Sequence, residues 1–135
     1  MSLSYSVLLR RSGSPRRPLV NVPEPASTRL VNVHTLNKPG TLLFPTGSFQ
    51  YDHLISLDID KEERDSALHD VANMVADLLK HEELCLALCF ELESIVLKRD
   101  ESGFSVDPAF NVISKTRLQK LSAAVPPASS SVAPN

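Results

Sequence analysis

The sequence predicts an α+β fold: a small antiparallel sheet over residues 3–59, followed by two helices within residues 61–98. Three observations lead there. The stretch FQYDHLISLDID, from Phe49 to Asp60, alternates apolar and polar side chains. That is the period of a half-buried strand. The next stretch, from Lys61 to Arg99, contains no Gly and no Pro. Its first half repeats apolar residues at helical spacing: Leu68, Val71, Ala72, Val75, Leu78 and Leu79.

Taken in order, Leu3, Tyr5, Val7 and Leu9 lie on one side of an alternating segment, which reads as a first strand. The stretch RRSGSPRRP, Arg10–Pro18, is a basic loop rich in breakers. Pro18–Val22 reads as a short edge strand flanked by prolines, and Pro23–Ser27 as a loop. Thr28–Leu36 is a further strand, and Asn37-Lys38-Pro39-Gly40 a turn with Pro and Gly at its centre. Thr41–Phe44 is a short extended piece, and a second turn at Pro45–Ser48 leads into the alternating stretch.

Asp60 is placed to cap the first helix. Glu63, three residues on, completes a capping-box-like pair, and Glu62, Glu63 and Asp65 suit the positive end of the helix dipole. Asp65, His69, Asn73 and Asp77 form its polar face. Lys80-His81-Glu82-Glu83 interrupts the pattern, which predicts a bend or a break into two helices. Leu84–Phe90 is then apolar at every position. Read as a helix, Leu84, Leu86, Leu88 and Phe90 point in several directions, and one sheet face does not cover them all. The expectation is an intertwined dimer with these four residues at the interface. After Arg99, Phe104, Val106 and Phe110 surround Asp107-Pro108, and a short helix is possible over 108–121. Residues 1–121 thus read as a single domain, and 122–135, rich in Ala, Ser, Val and Pro, as a flexible tail or one ordered by a partner.

Charge is uneven along the 135 residues, although the net is only −2. The first 48 residues carry Arg10, Arg11, Arg16, Arg17, Arg29 and Lys38 against Glu24 alone, while the rest is strongly acidic. A basic first half suits an anionic partner, and the five arginines are the candidate nucleic-acid contacts. Interleaved aromatics of the kind that stack bases are missing.

Other chemistry finds little footing. His81, Cys85 and Cys89 are spaced four apart, and on a helix they would span about 12 Å, too far for one metal ion. His34, His53 and His69 fall on separate elements with no nucleophile motif beside them. Gly40 and Gly47 form no phosphate loop. The expectation is a protein without catalytic activity, cofactor, metal or small-molecule substrate. There is no apolar run of transmembrane length and no signal peptide pattern, so neither a membrane partner nor secretion is expected.

Strands followed by two helices is also the element order of the coat proteins of single-stranded RNA bacteriophages. TRLVNVH resembles a middle sheet strand of those coats. YDHLISLDIDKEERDSALHDVANMVADLL resembles their last strand and first helix, and HEELCLALCFEL stands where their second helix follows. The resemblance covers roughly residues 28–92. It implies subunits that pair edge to edge, helices laid over the partner's sheet, self-assembly into a capsid, and genomic RNA on the sheet. It also implies a location in the virion or the host cytoplasm. The alternative reading is a small intracellular dimeric adaptor, a protein-interaction module.

Overall fold

The computed structural model describes residues 3–13, 19, 22–44, 47–91, 94–106 and 128. Its elements run β1 (Leu3–Arg11), β2 (Val31–Leu36), β3 (Gly40–Phe44), β4 (Gly47–Tyr51), β5 (His53–Ile59), α1 (Arg64–Leu79), β6 (Leu84–Phe90), β7 (Ser94–Asp100) and β8 (Gly103–Val106). Six strands form one antiparallel sheet in the order β2-β5-β1-β6-β7-β8, and β3 and β4 form a separate hairpin. Among the described residues the fold is therefore mostly β with one helix, not an α+β fold with two helices within residues 61–98.

The expected second helix is the main correction. Residues 80–83 are the connection after α1, and the chain then returns as β6 and β7. β6 lies inside the sheet between β1 and β7, with Leu88 facing Val7 on one side and Leu97 on the other. A strand covered on both faces needs apolar side chains at every position, which is why Leu84–Phe90 lacks alternation. Leu84, Leu86 and Leu88 point at α1 and are at most 1% exposed, and Phe90 packs its ring 5.2 Å from that of Tyr5. The chain's own helix thus covers three of the four residues expected at a dimer interface, and Phe90 is half-buried against Tyr5. The reason for an intertwined dimer disappears with the second helix.

One face of the sheet carries the main core. Tyr5, Val7, Leu9, Ile55, Leu57 and Ile59 meet Leu68, Val71, Val75 and Leu78 of α1 there. The opposite face carries a smaller core of Leu8, Cys85, Ala87 and Cys89, covered by Phe49 and flanked by Leu42, Phe44 and Tyr51 of the β3–β4 hairpin. Gly40 and Tyr51 are cross-strand partners in that hairpin, and a Cβ on Gly40 would lie 2.7 Å from the Tyr51 hydroxyl oxygen. A side chain at position 40 would push the ring out of its place.

Local boundaries also differ from the sequence pattern. The alternating run at 49–59 is two strands broken at Asp52, whose backbone N–H donates to the Leu9 carbonyl at 2.8 Å. The period of two survives the break, but Phe49 serves the smaller core and Ile55 the larger one. Helix α1 starts at Arg64 with Glu63 at the capping position and no side-chain cap, while Asp60 Oδ1 instead accepts from the Glu62 N–H at 2.9 Å. Thr28–Leu36 shortens to Val31–Leu36, and neither Leu19 nor Val22 is in a strand. The expected helix at 108–121 lies outside the described residues, as does the tail except for Ala128, whose N–H donates to the Asp100 carbonyl at 2.9 Å.

The end of α1 is held from a distance. Arg99, on the helix-facing side of β7, is fully buried. Its Nη1 donates to the Leu79 carbonyl at 2.8 Å, its Nη2 to those of His81 and Leu84, and its Nε to that of Leu84 at 3.2 Å. Leu79 is the last residue of α1, so its carbonyl meets no N–H further along the helix, while the His81 carbonyl also accepts from the Leu84 N–H at 3.1 Å. Burial holds the Arg99 pKa below its ordinary value. Carbonyl dipoles at the negative end of the helix oppose that cost.

Candidate functional site

A strap, residues 22–30, crosses from the sheet edge to α1. Thr28 is its fixed point. Its Oγ1 donates to Asp70 Oδ2 at 2.7 Å and accepts from the N–H groups of Leu30 and Val31 at 3.2 and 3.0 Å. Its own N–H donates to the Val31 carbonyl at 2.9 Å. Ser27 Oγ accepts from the Val33 N–H at 2.9 Å, so the strap also covers part of the outer edge of β2. Arg29 Nη1 meets Glu63 Oε2 at 2.8 Å at the start of α1.

Between strap and helix lies a groove of about 500 Å³. Pro23, Pro25 and Ala26 form one wall, and Met74 and Leu78 form apolar points on the other. Glu24, Asp70 and Asp77 make it acidic, and His81 closes one end. A second, shallower recess with Leu30, Asp65, Ser66 and His69 shares Asp70 and continues along the helix. Asp77 pairs with Lys80 at 3.1 Å, but both side chains are about three-quarters exposed. Such a pair neutralises little of the local field.

The groove residues escaped the sequence reading. Asp65, His69, Asn73 and Asp77 stood out as the polar face of the helix, which is the ordinary sign of a solvated surface. Only the strap turns that face into a wall, and Pro23–Ser27 carries no motif that predicts where it docks.

Of the five arginines expected to meet nucleic acid, the three that are described, Arg10, Arg11 and Arg29, are not brought together as one free cluster. Arg10 makes a two-pronged pair with Glu101, Nη1 to Oε1 at 2.6 Å and Nη2 to Oε2 at 3.2 Å. It also lies over the Phe49 ring, 5.4 Å from its centre. Arg29 is paired with Glu63, as above. Arg11 is half-buried on the helix-facing side of β1. Arg16 and Arg17 lie outside the described residues.

Arg10 and Glu101 belong to a small polar node on the opposite face of the sheet. The hydrogen bond from Arg10 pulls the Glu101 pKa down to about 2. Cys85 Sγ–H donates to Glu101 Oε1 at 3.2 Å. Burial, and then this bond, push the Cys85 thiol up to about 12, and burial does the same for Cys89. Thiols of that kind are poor nucleophiles and poor metal ligands at neutral pH. Cys85, on β6, turns into the smaller core and His81 lines the groove, so these residues, judged too far apart for one metal ion on a helix, do not form a ligand set in the strand arrangement either. Among the described residues no group of three or more His, Cys, Asp or Glu is placed to hold a metal ion, and no helix is long and apolar enough to cross a membrane.

Comparison with protein-family models, with curated proteins and with solved structures finds no match to this chain.

Proposed function

We propose that this chain is a non-catalytic interaction module that docks an extended segment of a partner protein in the groove between the strap and α1. The supporting observation is the groove lining: apolar side chains at intervals, with Glu24, Asp70 and Asp77 around them. That pattern suits a peptide with both basic and apolar residues. Between Asp65 and Asp77 the helix rises about 18 Å, which matches five or six residues of extended chain at about 3.3 Å each. Acidic walls steer a basic partner to the site, so association weakens with salt.

The test is fluorescence anisotropy with two pools of labelled decapeptides, one basic and apolar, the other acidic and apolar. The basic pool is expected to bind. Glu24→Gln and Asp77→Asn, which leave the Thr28–Asp70 latch intact, should each weaken binding about two- to tenfold. Unchanged binding in both variants, or preference for the acidic pool, sinks the reading.

The rival is the RNA-binding coat protein. Its support has narrowed, because the stretch that the resemblance matches to a second helix is strand β6, and Arg10 and Arg29 are each paired with a carboxylate. Electron microscopy of the protein expressed alone separates the two. Large nuclease-protected particles would restore the coat reading, and a small species is expected.

A further inference from the structure

Residues 107–127 lie outside the described part of the chain, and their sequence complements the groove. No Asp or Glu occurs after Asp107, while Lys115, Arg117 and Lys120 are interleaved with Ile113, Leu118 and Leu121. The groove presents the counterpart, with Glu24, Asp70 and Asp77 set among Pro23, Met74 and Leu78. Complementary charge of this kind fixes register and suppresses wrong partners. The chain's other basic stretch, RRSGSPRRP, has no aliphatic side chain apart from its prolines, and its Arg10 is already held by Glu101.

Both anchors of the segment lie near the groove. β8 ends at Val106, whose side chain packs against the main core on the α1 side of the sheet. Ala128 returns to the same β7–β8 hairpin, its N–H donating to the Asp100 carbonyl at 2.9 Å. The His81 end of the groove is close to that hairpin, because Arg99 on β7 donates to the His81 carbonyl. From Leu78 to Asp70 the groove follows the helix for about 12 Å. A chain of residues 107–127 held at both ends reaches at most about 35 Å from its anchors. That is enough to enter the groove of its own molecule without releasing either end. Linkers of about ten residues give effective concentrations on the order of millimolar, so a second copy at micromolar concentration competes poorly.

We propose, on the reading of this groove as a peptide dock, that residues 111–121 occupy the groove of their own chain as an internal ligand, which an outside peptide must displace.

Two measurements on the full-length protein test this. A zero-length carbodiimide cross-linker joins amines to carboxylates in contact. At micromolar protein it should join Lys115 or Lys120 to Glu24, Asp70 or Asp77 within the monomer band, as read by mass spectrometry of the digest. The second measurement is fluorescence anisotropy with a labelled peptide of residues 111–121. An internal ligand at about 1 mM effective concentration with a Kd of about 0.1 mM lowers outside affinity about tenfold. The peptide should therefore bind about tenfold more tightly when Lys115→Ser, Arg117→Ser and Lys120→Ser are combined. The same cross-links confined to a dimer band would assign the segment to a second copy and overturn the proposal. Absence of the links, or equal affinity in the parent and the triple variant, would also overturn it, while binding of the basic peptide pool would still uphold the groove as a dock. Failure of both the 111–121 peptide and the basic pool to bind either protein would remove the dock and the internal ligand together.

Discussion

The guanidinium of Arg99 on β7 donates to the carbonyl of Leu79, the last residue of α1, at 2.8 Å. Twenty positions separate them, and the contact ends the helix where neither Gly nor Pro does. Arg99→Met should expose this dependence. It removes the guanidinium that donates to the carbonyls of Leu79, His81 and Leu84, and the loss should be roughly 3–5 kcal/mol. Arg99→Lys should recover less than half of it, because an ammonium lacks the planar fork. Urea unfolding midpoints give the values. A midpoint for Arg99→Met within error of the parent would show that the cap is dispensable.

Leu88→Asp separates a central strand from a surface one. Leu88 is fully buried between β1 and β7 and under α1. A carboxylate there loses the apolar contact and is itself desolvated, a change expected to exceed about 4 kcal/mol. The variant should therefore unfold rather than dissociate. A variant with native circular dichroism would mean that position 88 is not in the core.

The Arg10–Glu101 pair sets an acid dependence. Glu101 titrates near 2 in the folded chain, below its ordinary 4.5. A folded value below the unfolded one contributes stability above about 4.5, and that contribution is lost as pH falls toward 2. Glu101→Gln should thus be less stable than the parent at pH 6, and the gap should close by pH 2. Glu101 is nearly half exposed, so the gap at pH 6 should be no more than about 1 kcal/mol. Unfolding midpoints across this range are the measurement, and a gap that widens toward pH 2 would contradict the pair.

Cys85 and Cys89 should be silent toward a thiol reagent at pH 8. Both are fully buried, and both thiols titrate near 12. Reaction with a chromogenic disulfide should follow the rate of unfolding in the native protein and be immediate in urea. Immediate reaction of either thiol in the native protein would place it at the surface.

Strands β1 and β5 and helix α1 were legible in the sequence because their apolar periods are clear. β6 was not. Leu, Cys and Ala fill Leu84–Cys89 without a β-branched residue, and Leu and Ala favour helices. A short apolar run has no period with which to choose, and the choice fell to long-range pairing with Val7 and Leu97. Ile95 and Val96 were the local hint that the helix had ended. The groove was illegible for a related reason. Thr28 and Asp70 lie 42 positions apart, and each alone reads as an ordinary polar residue.

The position of β1 has a consequence for biosynthesis. This strand occupies the middle of the sheet, yet a ribosome makes it before either of its neighbours. Until β5 and then β6 emerge, its apolar side chains and both backbone edges are unpaired. Folding is then governed by contacts between distant parts of the chain, which are slow to form and leave intermediates prone to aggregate. A nascent chain stalled before Leu84 should bind a chaperone that recognises extended apolar segments, and release should follow once β6 is free of the exit tunnel.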